Sequence, residues 1–342
     1  MNYLSEKACK LTPYTGGLQP EERGWIKLNT NESPYPPSPK VAEALRNTDI
    51  AALRLYPDAV SKGLCHAIAE KLRVKPENIF CGNGSDEVLA LAFQAFFAGK
   101  GSVLTPDISY GFYPVWGEMY GVGLEFAPLC DDFTVNIYDY SAANGVVIAN
   151  PNAPTGLALS LAEIEKIAQS NPNGVVLVDE AYMDFADCRS AVGLIDKYEN
   201  LLVIRTFSKS YSLAGLRVGY AAGNETLIGG LHRVKDAFNS YPVNLLSQIG
   251  AAAAINDDAY FKEKCKLITE TRKWVENELG CTPSQTNFVL WEVENGGETY
   301  DYLLNNKILV RYWNKPRINN HLRVTIGARE EMEEFVRCVK KM

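Results

Sequence analysis

Three side chains with chemical reach stand at or beyond the ends of short aliphatic runs. Lys209 follows Leu201-Leu-Val-Ile-Arg-Thr206, Asp179 closes Val175-Val-Leu-Val, and Arg217 comes eight positions after the lysine. In an open α/β sheet, ligands collect outside the carboxyl ends of the strands. A lysine there is ordinarily a solvated surface residue. Together with a fixed guanidinium it suits a ligand carrying an aldehyde and a phosphate. The amine condenses with the carbonyl, the arginine fork grips the phosphate in two directions, and Ser208 adds a hydroxyl. A carboxylate after four aliphatics must be paired or functional, because an unpaired buried charge is expensive. Set beneath a pyridine nitrogen, Asp179 would keep that nitrogen protonated and the ring an electron sink; the plain alternative is a metal-binding or helix-capping aspartate. Tyr182, three residues on, could donate to a phenolic oxygen of the same ring.

Two glycine-containing loops accompany these residues. Cys81-Gly-Asn-Gly84-Ser85-Asp86-Glu87 precedes an apolar helical stretch. Glycines allow the tight turn and the free amides of a helix start attract an anion. Glu87 stands where a dinucleotide fingerprint needs its third glycine, which disfavours a dehydrogenase. Asn150-Pro-Asn152-Ala-Pro154-Thr-Gly156 reads as a rigid loop at the carboxyl edge of the sheet.

The elements that must position these residues alternate in type. Residues 1–40 are irregular and Pro-rich, an extended arm, followed by helical character from Lys40 to Arg46. Strands are expected at Asn78–Cys81, Ser102–Thr105, Gly145–Ala149, Val175–Asp179, Leu201–Thr206 and Arg217–Ala221, the last able to run antiparallel. Helices are expected at Ser85–Ala98, buried on nearly every face, and at Leu161–Gln169, which opens with the capping box Ser160…Glu163. Such alternation predicts a mostly parallel α/β sheet covered on both sides. Beyond Ala251–Ile255 the texture changes. A charged helix over Asp258–Leu279, strands at Asn287–Val293, Ile308–Arg311 and Leu322–Ile326, and a closing helix from Arg329 form a smaller α+β unit. The expected divisions are 1–40 (arm), 41–245 (large domain) and 246–342 (small domain).

Bulk properties narrow the class. Across 342 residues, 46% are hydrophobic and 22% charged, as in a packed globular protein, and the net charge of −7 disfavours non-specific nucleic-acid binding. Eight cysteines without a C-x-x-C pair predict reduced thiols, and three histidines without H-E-x-x-H predict no metal site. The start, MNYLSEKACKL, lacks a long apolar core, and no run reaches the ~18 apolar residues of a membrane span. The expectation is a cytoplasmic protein with neither nucleic-acid nor membrane partner.

Taken together, these residues resemble the fold-type-I pyridoxal-phosphate (PLP) aminotransferases over almost the whole chain, and more narrowly the histidinol-phosphate aminotransferase family. The resemblance rests on Leu11-Thr-Pro13-Tyr14, Leu28-Asn-Thr-Asn31-Glu32-Ser-Pro34, Arg54-Leu-Tyr56-Pro57-Asp58, Gly82-Asn-Gly-Ser-Asp-Glu87 and Leu322-Arg323-Val-Thr-Ile-Gly327, in order. It implies a mostly parallel seven-stranded sheet and pyridoxal 5'-phosphate as cofactor. Lys209 is then the covalent attachment point and proton shuttle, and Asp179 the partner of the pyridine nitrogen. Tyr110 stacks on the ring, while Ser85, Asp86, Ser208 and Arg217 hold the cofactor phosphate. Tyr56 reaches the phosphate of a neighbouring subunit, making a homodimer with shared sites. Arg323 and Arg311 bind the anionic end of the substrate, with Tyr14 and Asn31 beside them. The implied partners are an amino donor, histidinol phosphate, and a 2-oxo acid, 2-oxoglutarate, in histidine biosynthesis. The family carries asparagine immediately before Pro-Thr-Gly, where this chain has Ala153; either Asn152 reaches in or Tyr182 serves the phenolic oxygen alone. Alternatives are an aromatic amino-acid aminotransferase, a threonine-phosphate decarboxylase-like lyase, and a non-catalytic regulator, the last disfavoured because packing alone does not require the lysine, aspartate and arginine.

Overall fold

The computed structural model describes residues 3–342. Strand β1 (Ile26–Lys27) belongs to the N-terminal arm. The large sheet comprises β2 (Ile79–Gly82), β3 (Ser102–Pro106), β4 (Gly123–Ala127), β5 (Gly145–Ala149), β6 (Val175–Asp179), β7 (Leu201–Thr206) and β8 (Gly219–Gly223). Their order is β2-β8-β7-β6-β5-β3-β4. The five strands from β7 to β4 are parallel, and β8 runs antiparallel to both its neighbours. The seven-stranded, mostly parallel sheet is the expected one. The strand β4 escaped the sequence pattern, since this edge strand buries only its last residue, Ala127, rather than a run.

Both faces of the sheet are covered, so alternate residues enter different cores. Val146, Ile148, Val176, Val178 and Val203 pack with the helices Lys62–Leu72 and Leu161–Ser170. Val147, Leu177, Leu202 and Ile204 pack with the helix Ser85–Ala92 and its π-helical continuation Phe93–Phe97. This alternation separates two consecutive acids. Asp179 follows Leu177 onto the second face, whereas Glu180 turns toward buried Arg205, which also pairs with Asp184. Cys65 and Cys81 meet as thiols with Sγ atoms 3.6 Å apart, where the helix Lys62–Leu72 crosses β2.

A third core lies around β9 (Phe288–Glu292), β10 (Ile308–Leu309), β11 (Arg311–Tyr312) and β12 (His321–Thr325) and the helices Asp258–Leu279 and Arg329–Val339. The run expected as one strand, Ile308–Arg311, is two. Its first part pairs with β1 of the arm and its second with β12, so Arg311 stands directly opposite Arg323 in the ladder. Leu28 packs in this core and ties the arm to it. The helix Leu245–Ile255 packs through Ala251, Ala254 and Ile255 against Val41 in the large core. The change between cores therefore falls after Ile255, later than the expected 245/246 division, because this helix is apolar toward the large domain. Among the described residues, no helix is long and apolar enough to cross a membrane.

Gly219 marks the closest approach in the large domain. A Cβ there would lie 2.2 Å from the Ser85 amide nitrogen and 2.5 Å from the Gly84 carbonyl carbon. Backbone cannot yield as a flexible side chain does. Gly219→Ala is expected to cost about 1–3 kcal/mol in urea unfolding and to displace the start of the helix at Ser85. Gly229→Ala, where nothing lies within 4 Å, is expected to leave the midpoint unchanged or raise it. Equal midpoints for the two variants would contradict this account of the packing.

Candidate active site

The carboxyl ends of β5, β6 and β7 open into a cavity of about 470 Å³, whose lining includes Ala149, Asp179, Thr206 and Lys209. Asp179 is buried, and its carboxylate accepts from the Tyr113 hydroxyl at 3.0 Å and the Ala181 amide at 3.2 Å. Among the described residues, no lysine or arginine is paired with it. Burial therefore pushes its carboxyl up to about 7, against the two hydrogen bonds that favour the charged form. Lys209 donates from Nζ to the Thr30 carbonyl of the arm at 3.0 Å. Burial and the facing Arg323 guanidinium pull its ammonium down to about 8.

One end of the cavity is shaped for a phosphate. Gly84 sits at φ +85° directly before the helix Ser85–Ala92, whose first amides have no partner within the helix. A Cβ on Gly84 would lie 2.5 Å from Arg217 Nη2, so only glycine lets the guanidinium close over the helix start. Arg217 Nη2 donates to Asp86 Oδ2 at 3.2 Å and Nη1 lies 3.5 Å from Ser208 Oγ. Tyr110 donates to the other oxygen of Asp86 at 2.9 Å, which sets its ring along the cavity wall.

At the other end, Arg311 and Arg323 also line the cavity. Neither is paired with a carboxylate among the described residues. Arg323 donates from Nη2 to the Asn29 carbonyl at 2.8 Å, and its buried Nε has no hydrogen-bond partner. Arg311 spends two N–H groups on the carbonyls of Thr15 and Gly16 in the arm, at 2.9 and 3.1 Å. The indole of Trp313 bridges the pair, with Arg311 Cζ 5.3 Å and Arg323 Cζ 5.2 Å from its ring. Tyr14 stacks on Phe112 at 4.3 Å to close this side.

Lys209, Asp179, Tyr182, Ser85, Asp86, Tyr110, Ser208, Arg217, Arg311, Arg323, Tyr14 and Asn31 thus converge on one cavity. Asn152 does not join them. Its amide hydrogens go to the Ile108 carbonyl and Thr155 Oγ1, and its oxygen accepts from Ser109, so the side chain is engaged in tying its loop to the segment after β3. Ala153 is the loop residue that lines the cavity, which corrects the expectation that Asn152 contacts the cofactor. Tyr56 is 82% exposed, outside the cavity and stacked on Tyr241 at 4.7 Å. Sequence reasoning missed Tyr113, Thr30 and Trp313. Tyr113 lies three residues beyond Tyr110 in the same aromatic motif, and nothing in the sequence distinguishes their roles.

Aminotransferase class I and II is the family whose pattern the chain matches, over residues 23–339. The chain is 47% identical to the histidinol-phosphate aminotransferase of Clostridium botulinum (strain Langeland / NCTC 10281 / Type F), covering 99% of this chain and 98% of the relative. It is 47% identical to that of Acinetobacter baumannii (strain AYE), covering 100% and 97%. It belongs to the histidinol-phosphate aminotransferase family. The crystal structure of the family's Sinorhizobium meliloti member in complex with pyridoxal-5'-phosphate superposes with a TM-score of 0.88 over 99% of both chains; at 24% identity this likeness is one of fold. The family is PLP-dependent, and the residues present fit that cofactor. The buried Asp179 carboxylate is placed to accept from a protonated pyridine nitrogen, and the Arg217 guanidinium, the Ser208 hydroxyl and the free amides at the start of the helix Ser85–Ala92 form a donor set for a phosphate.

The position of Lys209 makes cofactor capture pH-dependent. Its lowered value keeps the amine free well below the usual lysine range, and the free amine is the form that attacks an aldehyde. The rate at which apoprotein takes up PLP, followed by visible absorbance, is expected to rise with pH and level off above about 8. A rate still climbing tenfold per unit toward pH 10 would contradict the burial argument.

Proposed function

We propose that the chain transfers the amino group of histidinol phosphate to 2-oxoglutarate, giving imidazole acetol phosphate and glutamate in histidine biosynthesis. The observation that carries this reading is the cross-strand pair Arg311 and Arg323. Like charges directly opposite each other in a ladder are destabilising, and here the repulsion draws the Arg323 guanidinium below its ordinary value in addition to burial. Two guanidinium groups joined by an indole, the Arg323 one buried and the Arg311 one partly exposed, suit a phosphate dianion better than a lone α-carboxylate, which one arginine fork satisfies.

When bound, PLP supplies an electron sink for the charge left at the substrate Cα. The chain's residues do the rest. Lys209 Nζ attaches the cofactor and, once released, is the base that takes the Cα proton; its lowered basicity suits that exchange near neutral pH. Asp179 holds the proton on the pyridine nitrogen, with Tyr113 fixing the carboxylate plane. Arg217, Ser208 and the amides of Ser85 and Asp86 grip the cofactor phosphate. Tyr110 covers the ring face. Tyr14 and the arm carbonyls that hold Arg311 border the substrate end.

The exposed Tyr56 belongs to this proposal. It lies among Ile50, Leu53, Leu55 and Val60, all exposed, with Phe238 and Tyr241 also exposed. This number of exposed apolar side chains, with Tyr56 stacked on Tyr241, supports burial against a second copy of the chain. In that homodimer Tyr56 completes the partner's phosphate site. A cytoplasmic location accords with a biosynthetic enzyme of small metabolites.

The test is donor choice with 2-oxoglutarate as acceptor. Arg311→Ala is expected to lower kcat/KM for histidinol phosphate by about 2–4 kcal/mol equivalent, while affecting phenylalanine or tyrosine far less. Wild-type preference for an aromatic amino acid, or equal losses on both donors, would replace this reading with an aromatic amino-acid aminotransferase.

A further inference from the structure

Asn31 sits in the left-handed region at φ +56°, a conformation asparagine tolerates. Its backbone is clamped on both sides. The amide donates to Thr325 Oγ1 at 3.0 Å, and the carbonyl accepts from Asn287 Nδ2 at 3.0 Å. Thr325, having accepted that amide, gives its own hydroxyl hydrogen to Asn31 Oδ1 at 3.0 Å. The oxygen side of the side-chain amide is thereby fixed, and the NH₂ side faces the Tyr182 oxygen at 2.9 Å. Asn31, Thr325 and Asn287 are each at most 2% exposed, so water does not compete for these contacts.

A phenol has a single hydrogen to give. Because Asn31 is the donor in their contact, the Tyr182 hydrogen points elsewhere, and among the described residues no acceptor takes it. Tyr182 lines the cavity beside Ala153 and Ala181, neither of which has a side-chain donor. The charged and titratable groups that face the hydroxyl are Arg323, Asp179, Tyr14, Tyr110 and Tyr113, and none is hydrogen-bonded to it.

We propose that Asn31 is a positioning residue, which aims the Tyr182 hydroxyl hydrogen at the phenolic oxygen of the cofactor and so makes a direct donor at position 153 unnecessary. The inference rests on the PLP assignment above. Donating into the tyrosine oxygen polarises its O–H bond, so the two-step relay is a stronger donor than tyrosine alone. A stronger donor stabilises the deprotonated phenolic oxygen and lowers the pH at which the bound cofactor titrates. Thr325 and Asn287 hold the amide orientation and reach the cofactor only through it.

The experiment is a pH titration of the visible cofactor band in the holoenzyme. Wild type is compared with Asn31→Gly, Asn31→Asp, Tyr182→Phe and the double variant Asn31→Gly/Tyr182→Phe. Glycine fits φ +56° without strain and removes only the side chain. Asn31→Gly is expected to raise the midpoint by about 0.5–1.5 units. Asn31→Asp, whose carboxylate accepts the tyrosine hydrogen, is expected to raise it further. The double variant is expected to match Tyr182→Phe. An unchanged midpoint in Asn31→Gly, or an equal shift on top of Tyr182→Phe, overturns the relay. A wild-type protein that binds PLP without a visible, titrating band overturns the cofactor assignment beneath it.

Discussion

Uncompensated charge inside one cavity is the constraint on which the rest of this structure depends. Asp179 is a buried carboxylate without a cation, and Arg323 and Arg311 are enclosed or half-enclosed cations without a carboxylate. Each arrangement costs stability on its own, because desolvated charges are expensive unless paired. A fold keeps such costs only where a ligand removes them. The ligand that does so must present a cation to Asp179, an anion to Arg217, and a second anion to the opposed arginines, with an electrophile within reach of Lys209. PLP carrying a phosphorylated amine meets all four demands.

The sheet enforces this layout through strand alternation. Because β6 is buried on both faces, the acid that ends it and the acid that follows it part company. Asp179 faces the cavity, and Glu180 enters a buried set with Arg205, Ser190 and the Ala191 amide. Arg205 also binds Asp184, which accepts from Ser210 at 2.5 Å. Ser210 is the neighbour of Lys209, so one satisfied ionic network ties the residue after the aspartate to the residue after the lysine. The two groups that work on the cofactor are therefore held by a layer of charge that is fully paired, and only the working layer is left open.

Most of this was legible in the chain itself. The aliphatic runs ending in Asp179 and just before Lys209 announce the parallel strands, and every strand expected in the large domain falls within two residues of its observed bounds. The glycines at 82 and 84 mark the phosphate turn. What was not legible needs the third dimension. The strand Gly123–Ala127 is an edge with no buried run. Tyr113 and Tyr110 share one motif yet split between the carboxylate and the cavity wall. Both amide hydrogens of Asn152 are taken by Ile108 and Thr155, a pairing across two loops that the sequence does not display. Trp313 has a role only because a two-residue strand places Arg311 opposite Arg323, a register no sequence period reveals.

The protonation of the cofactor's ring nitrogen tests the central claim most directly. In holoenzyme loaded with ¹⁵N-labelled PLP, the nitrogen resonance is expected to report a pyridinium between about pH 6 and 9, since a cation beside Asp179 offsets the burial that pushes its carboxyl up to about 7. In Asp179→Asn the same resonance is expected to move to the free-pyridine position. A free pyridine in the wild-type protein at neutral pH would contradict the account.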